Sequence, residues 1–259
     1  MRSSHKTTAI ILNSLDYGES DRIVTFYTGE FGKLKGIAKG ARRSKKRFPN
    51  ALEPFSLLHV IFSKRERDTL VLIENCDIIN HHSGIRENLD KTLASSYLLE
   101  LTDKFTQEGK KDMALFQLLK NFLHIIDTGI HSEELIRFFE IRLLKLSGYE
   151  PIFDRCMLCN KPVSHEELYR FVPSKGGIKC KTCHQNSFDS VPVSVGTIKA
   201  LLLGKEIDTA RINSINFSDQ TAQESRNVLV GFIHHLLGRE VKSFLVLNDI
   251  QKMGILSSQ

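Results

Sequence analysis

The chain has 259 residues, 41% of them hydrophobic and 25% charged, with a formal net charge of +6, which is enough for one large or two ordinary domains with sizeable cores. No run of 18 apolar residues occurs and no apolar leader is visible near Met1, which argues against a membrane-spanning helix or a secreted protein and makes the cytoplasm the expected compartment. Residues 1–80 carry 14 Lys+Arg against 9 Asp+Glu, an excess of +5, while 81–259 hold an excess of only +1.

The first 80 residues alternate like strands. Thr8 to Leu15, Arg22 to Tyr27, Lys33 to Ala38, Leu57 to Phe62 and Thr69 to Glu74 are short β-branched or aromatic runs. Asp16-Tyr-Gly18, Thr28-Gly29, Phe31-Gly32 and Lys64 to Asp68 separate them as turn material. Five short strands in so few residues predict a small barrel, a partly open five-stranded OB-fold, with an SH3-like barrel as the alternative.

On the third strand, alternation places Lys33, Lys35 and Ile37 on one face and Leu34, Gly36 and Ala38 on the other. A basic loop follows. From Phe31 to Leu52 the chain holds Lys33, Lys35, Lys39, Arg42, Arg43, Lys45, Lys46 and Arg47 and no acid. Such a block suits the phosphates of a nucleic acid, gripped without reading sequence; a merely solvated surface loop is the other reading. Tyr17, Phe26, Tyr27, Phe31 and Phe48 are candidates for base stacking, Phe48 first among them, although aromatics at strand spacing usually serve a core. Cys76, in the apolar run Leu70 to Ile79, reads as a packed thiol.

Past Asn80 the period becomes helical, which sets an expected boundary between a barrel at 1–80 and a helical bundle at 81–259. Helices are predicted over Leu89 to Gln107, Asp112 to Ile126 and Ser132 to Gly148, the last with Ser132 as cap and Glu133 and Glu134 in its first turn. They resume at Ser194 to Leu203 and at Ser218 to Leu237, before a short tail from Leu245.

Between these helices lies the strongest motif. Cys156-x-x-Cys159 and Cys180-x-x-Cys183 are separated by 20 residues, so four thiolates can converge on one tetrahedral ion, of which Zn²⁺ is the expected one. Four protein ligands close the shell, which makes the ion a structural brace for the segment 153–188. Disulfides and a redox-active C-x-x-C are weaker readings, because neither pair follows a strand and opens a helix and nothing marks an oxidising compartment. His165 and His184 could stand in as ligands but read as surface residues.

Catalytic patterns are scarce. His131-Ser-Glu133 before Cys156-x-x-Cys159 loosely imitates a zinc deaminase signature, yet Arg155 stands where that signature needs proline and the second thiol pair would shut out the catalytic water. No Walker loop, G-x-S-x-G elbow or H-E-x-x-H occurs.

The quoted residues resemble a known family. Ala9-Ile-Ile-Leu12, Tyr17-Gly-Glu-Ser-Asp-Arg-Ile-Val24, Phe31-Gly-Lys-Leu34 and Ala38-Lys-Gly-Ala-Arg-Arg43 are similar to the N-terminal pattern of the RecO family of bacterial DNA-repair proteins. Gly148-Tyr-Glu-Pro151, Phe171, Gly176-Gly177 and the four cysteines resemble its zinc segment, and Leu237 to Ser243 its C-terminal end. The resemblance implies an N-terminal OB-fold, a helical domain with a zinc insertion, and no enzymatic activity. It further implies binding of single- and double-stranded DNA, strand annealing, and cooperation with RecR to load RecA onto DNA coated by single-stranded-DNA-binding protein, whose acidic tail is contacted. It implies Cys156, Cys159, Cys180 and Cys183 as metal ligands, and the basic strand and loop as the DNA contact. Asn160 stands where the family often has glycine, which asks a left-handed backbone of an asparagine.

Overall fold

The computed structural model describes residues 3–44, 46–64, 69–129, 132–164, 168–183 and 189–252. The chain forms two compact units, Met1–Thr128 and Gly129–Lys252.

The first unit begins with five strands: β1 Ser3–Tyr17, β2 Asp21–Thr28, β3 Gly32–Ala38, β4 Leu57–Lys64 and β5 Val71–Asn80. They close a barrel in the order β1-β2-β3-β5-β4. Every pairing is antiparallel except β3 with β5, which runs parallel at Gly36↔Val71 and Ile37↔Leu72. Because side chains alternate along a strand, Ala9, Ile11, Val24, Phe26, Leu34, Val60, Phe62 and Ile73 all point inward, and burying each large apolar side chain stabilises the fold by about 1.5–3 kcal/mol. Gly36 shares the inward face. A Cβ there would lie 2.7 Å from Ile73 Cγ1, so only glycine lets β5 pack this closely. The register slips between Ile11 and Asn13 in a bulge, which carries Leu15 and Tyr17 onto the outer face opposite Ile23 and Asp21.

The strand pattern ends at Asn80, but the compact unit continues through three helices: α1 Ser83–Arg86, α2 Leu89–Phe105 and α3 Met113–Thr128. Asn88 caps α2 by accepting the Lys91 N–H at 3.0 Å, and Asp112 accepts the Leu115 N–H at 2.9 Å at the start of α3. These helices cover part of the barrel's outer face. The Tyr27 hydroxyl donates to the Asp112 carbonyl at 3.4 Å and its ring lies 6.2 Å from that of Phe116.

The second unit holds α4 Glu133–Leu146, the strands β6 Tyr169–Val172, β7 Gly177–Cys180 and β8 Val191–Val193, then α5 Val195–Glu206, α6 Asp219–Leu237 and α7 Lys242–Lys252. Ser194 and Ser218 cap α5 and α6 through their hydroxyls, at 3.2 Å to Thr197 N and 3.3 Å to Thr221 N. Ser132 stands at the cap of α4 but makes no side-chain bond there. The segment expected as a loop between the helices contains a three-stranded antiparallel sheet ordered β7-β6-β8. What was expected as a tail from Leu245 is instead part of α7, its buried Phe244 and Leu247 three apart on one face. Among the described residues, no helix is long and apolar enough to cross a membrane.

Candidate metal centre and basic surface

The four cysteines come together as their spacing predicts. Their sulfurs all lie within 4.8 Å of one another, with Cys159 Sγ 3.8 Å from Cys180 Sγ. Tetrahedral zinc with Zn–S bonds of about 2.3 Å sets its sulfurs about 3.8 Å apart, so the donor set fits such an ion in number, softness and spacing.

The local fold builds this geometry from two turns and a strand. Cys156 opens a tight turn in which Asn160 N–H returns to the Cys156 carbonyl at 2.9 Å. Asn160 has φ +57°, the left-handed conformation expected of it. Cys180 ends β7 opposite Tyr169, and a second turn donates Cys183 N–H to the Cys180 carbonyl at 3.0 Å. A bond from Met157 N–H to the Ile178 carbonyl, at 2.9 Å, ties the first turn to β7. Phe153, Phe171 and Phe232 pack in series with centroids 5.4 and 5.6 Å apart, the first pair tilted and the second edge to face.

The electrostatics favour a thiolate at Cys156, whereas contact with the Cys180 sulfur pushes the Cys183 thiol up to about 12. Burial raises the Cys156 thiol's pKa, but N–H groups of Cys159, Cys180 and Leu158 aimed at the sulfur outweigh it and bring the thiol down to about 6. One of these is the Cys180 N–H, 3.4 Å from Cys156 Sγ. Glu133 of the deaminase-like pattern does not join this centre, since it lies at the start of α4 in an ion pair with Arg226; His131 lies outside the described residues. His165 and His184 also lie outside them.

The basic block divides into buried and exposed members. Lys33 is only 8% exposed; its Nζ donates to the Asp103 carbonyl and, at 3.1 Å, to the Asp103 carboxylate on α2. The expected place of Lys33 on an open basic face is therefore corrected, because a helix covers that part of the strand. Lys35, on the same face, is open and pairs with Glu108 at 2.8 Å. Phe48 is also corrected: it is 4% exposed and belongs to the barrel core, with the Arg47 guanidinium 5.1 Å above its ring.

Lys39, Arg42, Arg43, Lys46 and Arg47 remain exposed on the loop, and Lys45 lies outside the described residues. The loop is held by its backbone. Arg42 N–H donates to the Ser20 carbonyl at 3.0 Å, and Gly40 N–H donates to the Asp21 carboxylate at 2.8 Å. That N–H, with the Ser20 hydroxyl, holds Asp21 below the usual carboxylate range. Arg47 Nη2 reaches the Lys39 carbonyl at 2.8 Å. Arg42 sits 3.4 Å from Asp16 and Arg43 3.7 Å from Glu19, yet their side chains stay 44% and 74% exposed, so both cations keep solvent-facing surface. Cys76 packs in the barrel core, where burial pushes its thiol up to about 12 and leaves it inert.

Of the aromatic candidates Tyr17 is exposed beside this loop, and sequence reasoning missed its equally exposed neighbour Leu15. Their outward orientation depends on the bulge in β1, which alternation alone does not announce.

Comparison with known proteins gives the chain's family. The family "Recombination protein O N terminal" matches residues 1–82 and "Recombination protein O C terminal" matches 86–244. A DNA repair protein RecO of Syntrophus aciditrophicus is 50% identical over 98% of this chain and 99% of its own. Those of Geobacter metallireducens and of a Thermoanaerobacter species are 37% and 34% identical, each over 96% of this chain and 98% of theirs. Two domain matches in order and near-full-length identity at this level place the chain in the RecO family of DNA repair proteins.

Proposed function

We propose that this chain is a non-enzymatic recombination mediator that binds single- and double-stranded DNA and promotes annealing. With RecR it helps RecA onto DNA coated by single-stranded-DNA-binding protein, whose acidic C-terminal tail it contacts, in the cytoplasm and at the nucleoid during repair. The barrel's strand order, with its one parallel pairing, supports an OB-fold. Lys39, Arg42, Arg43, Lys46 and Arg47, with Lys45 between them, hold phosphates. Annealing asks for this arrangement: cations screen the repulsion between two backbones while the Watson–Crick edges stay open. Zn²⁺ on Cys156, Cys159, Cys180 and Cys183 supplies shape, with no open position for substrate.

The observation that carries the reading is the run of exposed cations on a loop fixed by its own backbone, in a stretch without one acid from Phe31 to Leu52. Five cations at about 0.7 counterions each predict a log–log salt slope of roughly −3 to −4 for single-strand binding. Alanine at Arg42, Arg43, Lys45 and Lys46 together flattens that slope and leaves the melting transition nearly unchanged. A slope near zero for the unaltered chain overturns the loop's role.

A protein–protein adaptor is the second reading. It is favoured by a cleft of about 700 Å³ in the second unit, where Arg226 lies 5.9 Å over the Phe244 ring beside Val230 and His234. An oligonucleotide ignored at physiological salt would move the conclusion there.

A further inference from the structure

The basic block contains no acid between Phe31 and Leu52, yet the fold brings acids to it from distant parts of the chain. Asp16, near the end of β1, sets one carboxylate oxygen 3.4 Å from Arg42 Nε and the other 3.1 Å from Arg22 Nε. Glu19, in the turn between β1 and β2, lies 3.7 Å from Arg43 Nη2, and Glu108, between α2 and α3, lies 2.8 Å from Lys35 Nζ. Backbone holds these acids in place. Glu108 forms a β-bridge with Lys33, and the turn that carries Glu19 is tied to the loop by the bond from Arg42 N–H to the Ser20 carbonyl. The side chains of the three pairs are between 44% and 93% exposed, and an ion pair so open to water is worth only about 1.5- to 5-fold in an equilibrium. Such contacts do little for folding and are easily given up.

We propose that Asp16, Glu19 and Glu108 are built-in competitors for the basic surface: they occupy Arg42, Arg43 and Lys35 in the free chain, and phosphates displace them on binding. The proposal rests on the reading of the basic loop as a phosphate grip and names what attenuates that grip. A carboxylate and a phosphate compete for the same N–H groups of a guanidinium or ammonium. The carboxylates are tethered, so each faces its cation at a high effective concentration whatever the solution holds. A chain of phosphates engages several cations at once and displaces all three acids. Glu19, with its side chain 93% exposed, has water to turn into. When a phosphate leaves, the carboxylate is already beside the vacated cation and takes its place. Annealing requires the product to be given up, and a grip opposed from within the chain yields it sooner.

Asp16→Asn, Glu19→Gln and Glu108→Gln are combined in the full chain, which is titrated with a fluorescent single-stranded oligonucleotide at low salt, where exposed charges are least screened. The triple variant should bind at least about threefold tighter than the unaltered chain, with slower dissociation and a melting transition nearly unchanged. Removing negative charge also strengthens the overall field, so paired substitutions separate the two causes. Glu19→Gln alone should tighten binding by about 1.5- to 5-fold, and that gain should vanish in an Arg43→Ala background; Glu108→Gln should behave likewise in a Lys35→Ala background. A gain that persists in those backgrounds would reveal a long-range effect of charge and overturn the proposal. Weaker binding by the triple variant would overturn it as well, because the carboxylates would then be holding the cations in the posture that binding needs. If Asp16→Asn lowers the melting transition, the Glu19 and Glu108 pairs still decide the matter. An oligonucleotide ignored by the unaltered chain would instead remove the grip itself, and with it the surface on which the carboxylates act.

Discussion

Lys33 and Lys35 stand two positions apart on one strand and on one face, yet one is buried against Asp103 and the other is open to solvent. Alternation assigns the face; it cannot announce a helix 70 residues away that covers half of it. The cysteines are the opposite case. Their chelating geometry is set within each four-residue turn, so spacing alone identifies them, and the left-handed Asn160 follows from the same turn. His82 shows a third kind of residue, invisible in sequence and consequential in the fold. It is 1% exposed at the start of α1, with Nδ1 donating to the Phe55 carbonyl at 2.9 Å. Burial lowers its pKa below 6.5, although the Phe55 carbonyl pulls the other way. A histidine held neutral contributes its full stability above the unfolded value of about 6.5, and that share is lost as pH falls through the folded pKa. Denaturant midpoints measured at pH 7.5 and 5.5 should therefore show a decline that His82→Asn reduces. An identical decline in the variant would show that other groups cause it.

At the scale of elements, the strands of the barrel and most helices are legible because periods of 2 and 3.6 are local properties. The closure of the barrel is not. It depends on a parallel contact between β3 and β5 across 34 intervening residues from Gly36 to Val71, and the signal for it in the sequence is a single glycine in a strand. Gly36→Val puts carbon where Ile73 already stands, so it should cost about 1–3 kcal/mol by overpacking. Calorimetry would register this as a lower melting transition; an unchanged transition would mean that β5 yields easily and that closure does not depend on the contact. The sheet formed by β6, β7 and β8 was equally hard to read, because three- and four-residue strands have too little length to show a period. Phe171 and Ile178, the apolar residues that mark it, face each other across β6 and β7.

At the scale of the whole molecule, the change of period near residue 80 marks where strands stop, while compactness carries the first unit on to Thr128. Helices α1 to α3 belong with the barrel because their apolar faces have strands to cover. The second unit has its own core of α4, α5 and α6 and its own four-cysteine segment, whose phenylalanine series runs from Phe153 to Phe232 on α6. Under the proposed function the two units have separate duties, charge in one and an ion-braced shape in the other. Binding free energy at a structural zinc site, on the order of 10–16 kcal/mol, is largely folding free energy, so withdrawing the ion should loosen the second unit and spare the first.

The most direct test is to remove zinc with a thiol-reactive reagent and a chelator, then measure hydrogen exchange and single-strand affinity on the same sample. The expected outcome is one ion released per chain, faster exchange across β6, β7 and α6, and an affinity within about twofold of the starting value. Affinity that collapses with the ion while exchange in β1 to β5 stays slow would contradict the division of duties, because the metal segment would then be part of the grip.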